Sequence, residues 1–161
     1  MPTETFIKGE TFVIATSVGR LEIILEHDKI KTINLNSAKP LSEAASTLGL
    51  KIIKQLESYF NNASFEFDLP LIQKGSEHQI KVWKALKEIP AGQVLTYGAL
   101  AKKIGSSARA IGNACRNNPI PIVVPCHRIV AAKDIGGFSG AQDGVLLNIK
   151  RELLAHEGLS F

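Results

Sequence analysis

The spacing of apolar residues in the first half of the chain predicts a small sheet and a helix. Apolar residues cluster or alternate with polar ones in three short stretches, 11–15, 21–25 and 31–35, as is typical of half-buried strands. Turn-forming residues separate the stretches, which predicts an antiparallel meander. Over 42–60 the apolar residues recur every three or four positions, as in an amphipathic helix, and 65–69 alternates again as a strand.

The second half has the pattern of short capped helices. Ser76 and Thr96 are candidate N-caps for helices over 77–88 and 97–104. A three-residue turn that contains a glycine separates the second of these helices from another one over 108–117. Two short helices joined in this way predict a helix-turn-helix.

A last helix is predicted over 145–156, after a glycine-rich loop at 131–140. The change from strand-like to helical patterns around 73–76 predicts a domain boundary. We therefore predict an α/β (α+β) protein. It has an N-terminal α/β domain over 1–74, with an antiparallel sheet and a helix, and a mainly helical C-terminal domain over 75–161.

The composition sets the class of protein. The chain has 161 residues and is 45% hydrophobic, enough for one sizeable core or two small ones. No apolar run reaches membrane-spanning length and the first ten residues are polar and partly acidic, so we expect a soluble protein without a signal peptide. Cys115 and Cys126 are the two cysteines of the chain, too few for a secreted disulfide scaffold, which favours a reducing compartment.

The net charge of +4 is unevenly distributed along the chain. Residues 1–74 carry 8 Lys and Arg against 9 Asp and Glu, whereas residues 75–161 carry 11 against 6. The basic excess therefore belongs to the half that holds both cysteines. It suits a polyanionic partner such as nucleic acid, although a modestly basic surface is also common in proteins without such a partner.

Cys126 is the candidate for chemistry. It follows Pro125 and an apolar run at 120–124, which predicts a short buried strand or extended segment. His127 and Arg128 come next, and basic or cationic neighbours favour the nucleophilic thiolate. Chain neighbours in a strand point to opposite faces, so contact between Cys126 and His127 requires a backbone turn or a bridging water. A buried cysteine that serves as a small apolar side chain is the alternative.

The helix predicted over 108–117 combines a polar face with small residues. Arg109, Asn113 and Arg116 are spaced i, i+4 and i+7, so they share one face. Small side chains occupy four further positions: Ala108, Ala110, Gly112 and Ala114. An ordinary helix is about 10–12 Å across and the minor groove of DNA about 6 Å wide. A helix this thin could enter a widened minor groove; the alternative is a surface helix whose small residues serve packing.

These residues and others in the same half resemble the O6-alkylguanine-DNA alkyltransferases, or methylated-DNA–protein-cysteine methyltransferases. The family's signature is Pro-Cys-His-Arg followed by two aliphatic residues, and it is present at 125–130. Further blocks follow in the family's order: 89–92, 96–98, 109–112, 118–121, 137–140 and 153–158. The resemblance implies DNA repair by irreversible transfer of an alkyl group to Cys126, from O6 of guanine and also from O4 of thymine, in duplex DNA.

The resemblance also implies roles for residues around Cys126. His127 would act as a base through a bridging water and Glu157 would fix the imidazole, giving a Glu–His–water–Cys relay. Tyr97 would help to swing the nucleotide out and would donate a hydrogen bond to guanine N3. Asn118 would brace the recognition helix against the cysteine loop. If the resemblance is set aside, the residues alone favour a solvated acid at a helix end for Glu157 and a half-buried core residue for Tyr97.

For DNA contact, the resemblance implies that Arg109 fills the space of the extruded nucleotide as an arginine finger. The other predicted DNA-binding residues are Ala108, Ala110, Gly112, Asn113, Arg116 and Arg128. The predicted base pocket consists of Tyr97, Cys115, Pro121, Ile129, Phe138 and Ser139. Cys115 stands where the family often has a larger apolar side chain, which would widen the pocket or add a second oxidisable thiol.

The resemblance implies one turnover per molecule, because a thioether on Cys126 is inert, and it implies no cofactor. Some family members hold a structural zinc in the N-terminal half through Cys and His. This chain has no cysteine before Cys115, so no metal site is expected. The expected partner is double-stranded DNA that carries O6-alkylguanine. We expect a cytoplasmic monomer that joins the nucleoid when it is bound to DNA.

Two other classes of function stay open from the sequence. A cysteine hydrolase would also use Cys and His, but it would need an oxyanion hole and a cleft for an ester or peptide. A helix-turn-helix protein that marks alkylated sites without repairing them would need no reactive cysteine.

Overall fold

The computed structural model describes residues 9–141 and 144–161, so the first eight residues of the predicted N-terminal domain lie outside the described residues. The chain forms two compact units, of which one ends at Gln73 and the other begins at Lys74. The mixed α/β class predicted from the sequence is confirmed. No helix in the described ranges has the length and apolarity needed to span a bilayer.

The first unit contains the predicted antiparallel meander. Strands β1 (Gly9–Thr16), β2 (Gly19–Glu26) and β3 (Lys29–Asn34) pair in the order β1-β2-β3. His27 and Asp28 form the tight turn between β2 and β3, and both have positive φ, 52° and 57°. Positive φ at both central residues is typical of the hairpin turn that matches the twist of the strands.

Helix α1 (Thr47–Asn61) completes this unit, and it is shorter than predicted. The Ser46 side chain accepts a hydrogen bond from the Gly49 amide and so begins the helix at Thr47, five residues after the predicted start. The strand predicted over 65–69 is wrong. That stretch forms no ladder; the chain instead pairs at Leu71, through a single parallel bridge to Ile30 on β3.

The second unit is mainly helical, as predicted. Its helices are α2 (Glu77–Lys87), α3 (Tyr97–Ile104), α4 (Ala108–Arg116) and α5 (Gly144–His156). Two short parallel strands, β4 (Leu95–Thr96) and β5 (Ile129–Val130), join the start of α3 to the segment that follows Cys126. The core consists of apolar side chains from all four helices, among them Trp83, Leu86, Leu100, Ile111, Leu153 and Leu154.

Helices α3 and α4 form the predicted helix-turn-helix. The side chains of Thr96 and Ser107 cap the two helices by accepting hydrogen bonds from the Ala99 and Ala110 amides. Gly105 ends α3 with φ of 70°, a left-handed conformation that glycine adopts at little cost. On the inner side, buried Trp83 of α2 donates its indole N–H to the Ala114 carbonyl at 2.9 Å and so fixes α4.

The apolar run before Cys126 is buried, but it is not the strand or extended segment that its composition predicts. Residues 120–124 form a turn, in which the Val124 amide donates to the Ile120 carbonyl at 3.0 Å. Ile122 has φ of 75°, a conformation that is strained for a β-branched residue. Pro121 and Pro125 have no amide hydrogen to give to a ladder, which explains why an apolar stretch turns here.

Candidate active site

Cys126 opens a short 3-10 helix, Cys126–Arg128, that leads directly into β5. The backbone therefore turns immediately after Cys126, as one of the two predicted routes to contact between Cys126 and His127 requires. Cys126 is 4% exposed, yet it lines an open cleft of about 1000 Å³. The thiol therefore lies at the inner wall of a cleft that is large enough for a nucleobase and its substituent.

The exposed face of α4 forms one side of the same cleft. Arg109, Asn113 and Arg116 are exposed and line it, and so do the predicted small residues Ala108, Ala110 and Gly112. The opposite face of α4 is buried through Ile111 and Ala114. The structure thus brings the predicted polar face and Cys126 to one opening.

His127 and Glu157 form a buried pair behind Cys126. His127 Nε2 lies 2.8 Å from Glu157 Oε2, and neither side chain is exposed. A carboxylate acceptor at Nε2 selects the tautomer that carries the proton there and leaves Nδ1 as the basic nitrogen. Among the described residues, Nδ1 has no hydrogen-bond partner. Burial lowers the pKa of His127 and outweighs the effect of Glu157, so the ring is neutral at pH 7 and can accept a proton.

Arg128 does not face the cleft, so the prediction that it contacts DNA is wrong. Its guanidinium is buried and binds both oxygens of Glu157, from Nε at 2.9 Å and from a terminal nitrogen at 3.0 Å. The other terminal nitrogen donates to the Ile89 carbonyl at 2.6 Å. The physical reason is that a buried carboxylate needs a cation, and a planar guanidinium supplies two parallel hydrogen bonds.

The Cys126 thiol is protonated in the resting protein. Burial raises its pKa to about 11, against the opposing effects of a hydrogen bond with Asn118 and of the Lys150 cation. Asn118 also donates to the Val124 carbonyl at 2.9 Å and accepts from the Ile120 amide at 3.0 Å. It therefore ties the end of α4 to the turn that carries Cys126, in the place predicted for a brace. A thiol of this kind needs a base before it can react.

Tyr97, at the start of α3, lies between two glycines and lines the cleft. A Cβ on Gly112 would stand 3.9 Å from its ring, and a Cβ on Gly136 would stand 3.0 Å from its Cε2 and 3.2 Å from its hydroxyl. Gly136 also has φ of 73°, which favours glycine. Burial raises the pKa of Tyr97 to about 12, so its hydroxyl keeps its proton and can donate it in a hydrogen bond.

The structure places four of the six predicted base-pocket residues in the cleft. Tyr97, Cys115, Phe138 and Ser139 line it. Pro121 and Ile129 do not belong to its lining among the described residues; both are buried behind it, and the Ile129 carbonyl accepts a hydrogen bond from Lys150 at 2.7 Å. The turn at 120–124 and the β4–β5 pairing hold these two side chains in the core, and their predicted contact with the base stays a prediction.

Sequence reasoning missed Lys150. The side chain is fully buried, and its ammonium group donates to three carbonyls at 2.6 to 2.8 Å. A sequence signal was available: Lys150 is three residues from Leu147 and from Leu153, both buried on α5, so it belongs to the apolar face of that helix. Arg116 was predicted, but its packing against Gly140 was not.

Comparisons with known proteins all lead to one family. The sequence profile described as "6-O-methylguanine DNA methyltransferase, DNA binding domain" matches residues 77–159. A methylated-DNA–protein-cysteine methyltransferase of Methanosarcina acetivorans is 48% identical over 107 residues, which are 65% of this chain and 66% of that protein. The constitutive enzyme of the same name from Bacillus subtilis is 36% identical over 151 residues, 84% of this chain and 92% of that protein.

Solved structures show the same fold over both units. The crystal structure of Mycobacterium tuberculosis OGT in complex with DNA has a TM-score of 0.75 at 32% identity and covers 92% of each chain. The crystal structure of Mycobacterium tuberculosis O6-methylguanine methyltransferase has a TM-score of 0.79 at 30% identity, again over 92% of each chain.

Proposed function

The chain belongs to the 6-O-methylguanine DNA methyltransferase family, and on that premise we propose that Cys126 takes the alkyl group from O6 of guanine in duplex DNA. The reaction is DNA repair by transfer of an alkyl group from DNA to a protein cysteine. The observation that carries the choice of Cys126 is its position in the cleft beside the exposed face of α4, with the buried His127–Glu157 pair behind it.

His127 is the base in this proposal. It takes the thiol proton of Cys126 at Nδ1 through one bridging water, while Glu157 holds the proton on Nε2 and stabilises the imidazolium that forms. Neutral His127 and protonated Cys126 are the resting states that this step requires. The thiolate then exists only while the base is charged, which protects it from unrelated electrophiles.

The transfer itself is a displacement at the alkyl carbon. A bond forms between Cys126 sulfur and that carbon as the bond to O6 breaks, and the electron pair of the broken bond stays on the guanine. Tyr97 donates a hydrogen bond to guanine N3 and so stabilises the charge that develops on the base. The proton that His127 took from the Cys126 thiol is delivered to guanine N1, which leaves unmodified guanine in the DNA. O4 of thymine has the same leaving-group chemistry and is a second substrate.

The protein binds DNA through the thin helix α4. The target atom is inside a duplex, so the nucleotide must rotate out before Cys126 can reach it. Arg109 is exposed at the first turn of α4 and lines the cleft mouth, where it can fill the space in the stack. Asn113 and Arg116 contact the backbone from the same face. The small residues Ala108, Ala110 and Gly112 let the helix enter a widened minor groove.

The extruded base lies against Tyr97, Phe138 and Ser139, with Cys115 beside the alkyl group. Phe138 is 3% exposed, and it is braced by two hydrogen bonds to Ala141 at 2.8 Å, so this wall is preformed. Burial raises the pKa of Cys115 well above its ordinary value, so that thiol stays neutral and acts as pocket wall.

The protein acts as a monomer in this proposal. It acts once per molecule, because a thioether on Cys126 is chemically inert. We place its action in the cytoplasm, at the nucleoid when DNA is bound, since both cysteines are free thiols that a reducing compartment preserves. The test is stoichiometry. With a tenfold excess of duplex DNA that carries O6-methylguanine, the repaired DNA should equal the protein and the protein should gain one methyl. Repair beyond that amount would contradict transfer once per molecule. Turnover of a chromogenic ester without a methyl on the protein would favour a cysteine hydrolase.

A further inference from the structure

Lys150 is a buried cation to which the proposed transfer assigns no contact with the base, although its charge opposes the rise in the pKa of Cys126. Its Nζ donates to the carbonyls of Ile129 at 2.7 Å, Ile135 at 2.6 Å and Gly137 at 2.8 Å. An ammonium group has three protons, so these bonds satisfy it completely. Burying a cation is costly even when it is hydrogen-bonded. An apolar side chain at this position of α5 would pack at lower cost, which points to a role other than stability.

Two of the three carbonyls flank one residue, Gly136. Ile135 precedes it and Gly137 follows it, so Lys150 is hydrogen-bonded to both ends of this short segment. The segment is also the surface on which Tyr97 rests, because a Cβ on Gly136 would lie 3.0 Å from the Tyr97 ring. A shift of the segment would therefore move the ring.

The third carbonyl connects the same cation to the cysteine side of the site. Ile129 follows the 3-10 helix of Cys126 directly and pairs with Leu95 in β4. The next residue of β4, Thr96, caps the helix that begins at Tyr97. The Lys150 ammonium group thus connects two parts of the site. One is the 135–137 segment, which packs against the Tyr97 ring, and the other is the β4–β5 pair, which directly precedes Tyr97.

We infer that Lys150 is a positioning residue for alkyl transfer, which acts by holding the Ile135–Gly137 segment against Tyr97. The inference rests on the proposed role of Tyr97 in the reaction. Lys150 does not touch the base in this account. Its effect on the rate passes through the placement of the Tyr97 hydroxyl, and a small misplacement of such a group slows a reaction substantially.

A double-mutant cycle tests this route. Single-turnover rates are measured with protein in excess over a duplex that carries one O6-methylguanine. Lys150→Met in the wild-type background should slow transfer about tenfold or more. In a Tyr97→Phe background, which lacks the hydroxyl, the same substitution should slow transfer by a clearly smaller factor, and the remaining loss reflects the removed charge near Cys126. An equal loss in both backgrounds would overturn the inference.

Further variants keep the test decisive if Lys150→Met does not fold. Lys150→Gln retains two amide protons for the carbonyls; it should show a smaller loss with the same dependence on Tyr97. Gly136→Ala leaves Lys150 in place and pushes on the ring from the segment side, so its loss should vanish in the Tyr97→Phe background. Arg151→Met removes an exposed cation from the next position of α5 and should leave the rate within about twofold of wild type.

The wild-type protein separates this inference from the proposed function. If wild type transfers no methyl to itself, the proposed function fails, whatever the variants do. If wild type transfers normally and the losses from Lys150 and Tyr97 multiply as independent effects, the inference alone fails.

Discussion

Glu157 Oε2 lies 2.8 Å from His127 Nε2, and the same carboxylate accepts two hydrogen bonds from Arg128. One buried carboxylate thus binds both a neutral imidazole and a charged guanidinium. Arg128 supplies the cation that pairs with the carboxylate, and the carboxylate fixes the tautomer of His127. The cation that was predicted to bind DNA instead pairs with the acid that contacts His127, the proposed base.

The first prediction concerns Glu157→Gln. An amide cannot stabilise the imidazolium as a carboxylate does and leaves Arg128 without its counter-charge, so transfer should slow by about a hundredfold or more. The affinity for alkylated duplex should remain, because Glu157 is buried away from DNA. Single-turnover rates and a DNA titration measure the two quantities. Glu152→Gln, at an exposed position of α5, is the matched control. A folded Glu157→Gln protein that transfers at the wild-type rate would remove the relay from the account.

The second prediction contrasts two arginines. Arg128→Met should lower the free energy of unfolding by roughly 3–5 kcal/mol, because it leaves the Glu157 carboxylate buried without a cation. Arg116→Met should leave stability nearly unchanged, weaken DNA binding and reduce its salt dependence by about one counterion. Urea unfolding followed by Trp83 fluorescence reports on the second unit, since Trp83 is the one tryptophan of the chain. Weakened DNA binding without loss of stability in Arg128→Met would restore the original prediction.

The third prediction separates base extrusion from chemistry. Arg109→Ala should slow transfer from duplex DNA by roughly tenfold or more, because an extruded base then leaves an unfilled gap that costs a few kcal/mol. Transfer from free O6-benzylguanine, which needs no extrusion, should stay within about twofold of wild type. Arg151→Ala serves as the control for lost positive charge. Equal losses with both substrates would place Arg109 in the chemical step and not in the stack.

The fourth prediction is a dependence of stability on pH. Burial holds the folded-state pKa of His127 below its unfolded value near 6.5, so the unfolded chain binds a proton first as the pH falls. The free energy of unfolding should therefore be fully present above pH 6.5 and should decline between about pH 6.5 and 5, by at most about 1.4 kcal/mol per pH unit.

His127→Gln isolates this contribution. The variant should lose the decline between pH 6.5 and 5, because the carboxylates whose pKa is lowered in the fold, such as Glu10, titrate at lower pH. Urea unfolding by Trp83 fluorescence at both pH values makes the comparison. An unchanged decline in the variant would mean that another group binds the proton.

The sequence was sufficient to predict features that depend on residues close together in the chain. Ser76 and Thr96 identify the starts of α2 and α3, because a cap acts within one turn of its own residue. The motif around Cys126 likewise identified the family. The strand predicted at 65–69 failed because alternation shows which side chains are buried and not whether a partner strand lies alongside.

The rest depended on contacts between distant residues. Arg128 is 29 residues from Glu157 along the chain, and its neighbours in sequence do not show whether it faces the acid or DNA. Lys150 is buried by carbonyls 13 to 21 residues away, which only the folded loop brings together. Positive φ at Ile122 is a further case, since a β-branched residue in that conformation is held by its surroundings.

The most direct test of the central claim is the location of the transferred group. The protein is incubated with a duplex that carries O6-methylguanine, digested, and mapped by mass spectrometry. The account predicts one added methyl on the peptide that contains Cys126 and none on the peptide that contains Cys115. A methyl on Cys115, or repaired DNA together with an unmodified Cys126 peptide, would contradict it.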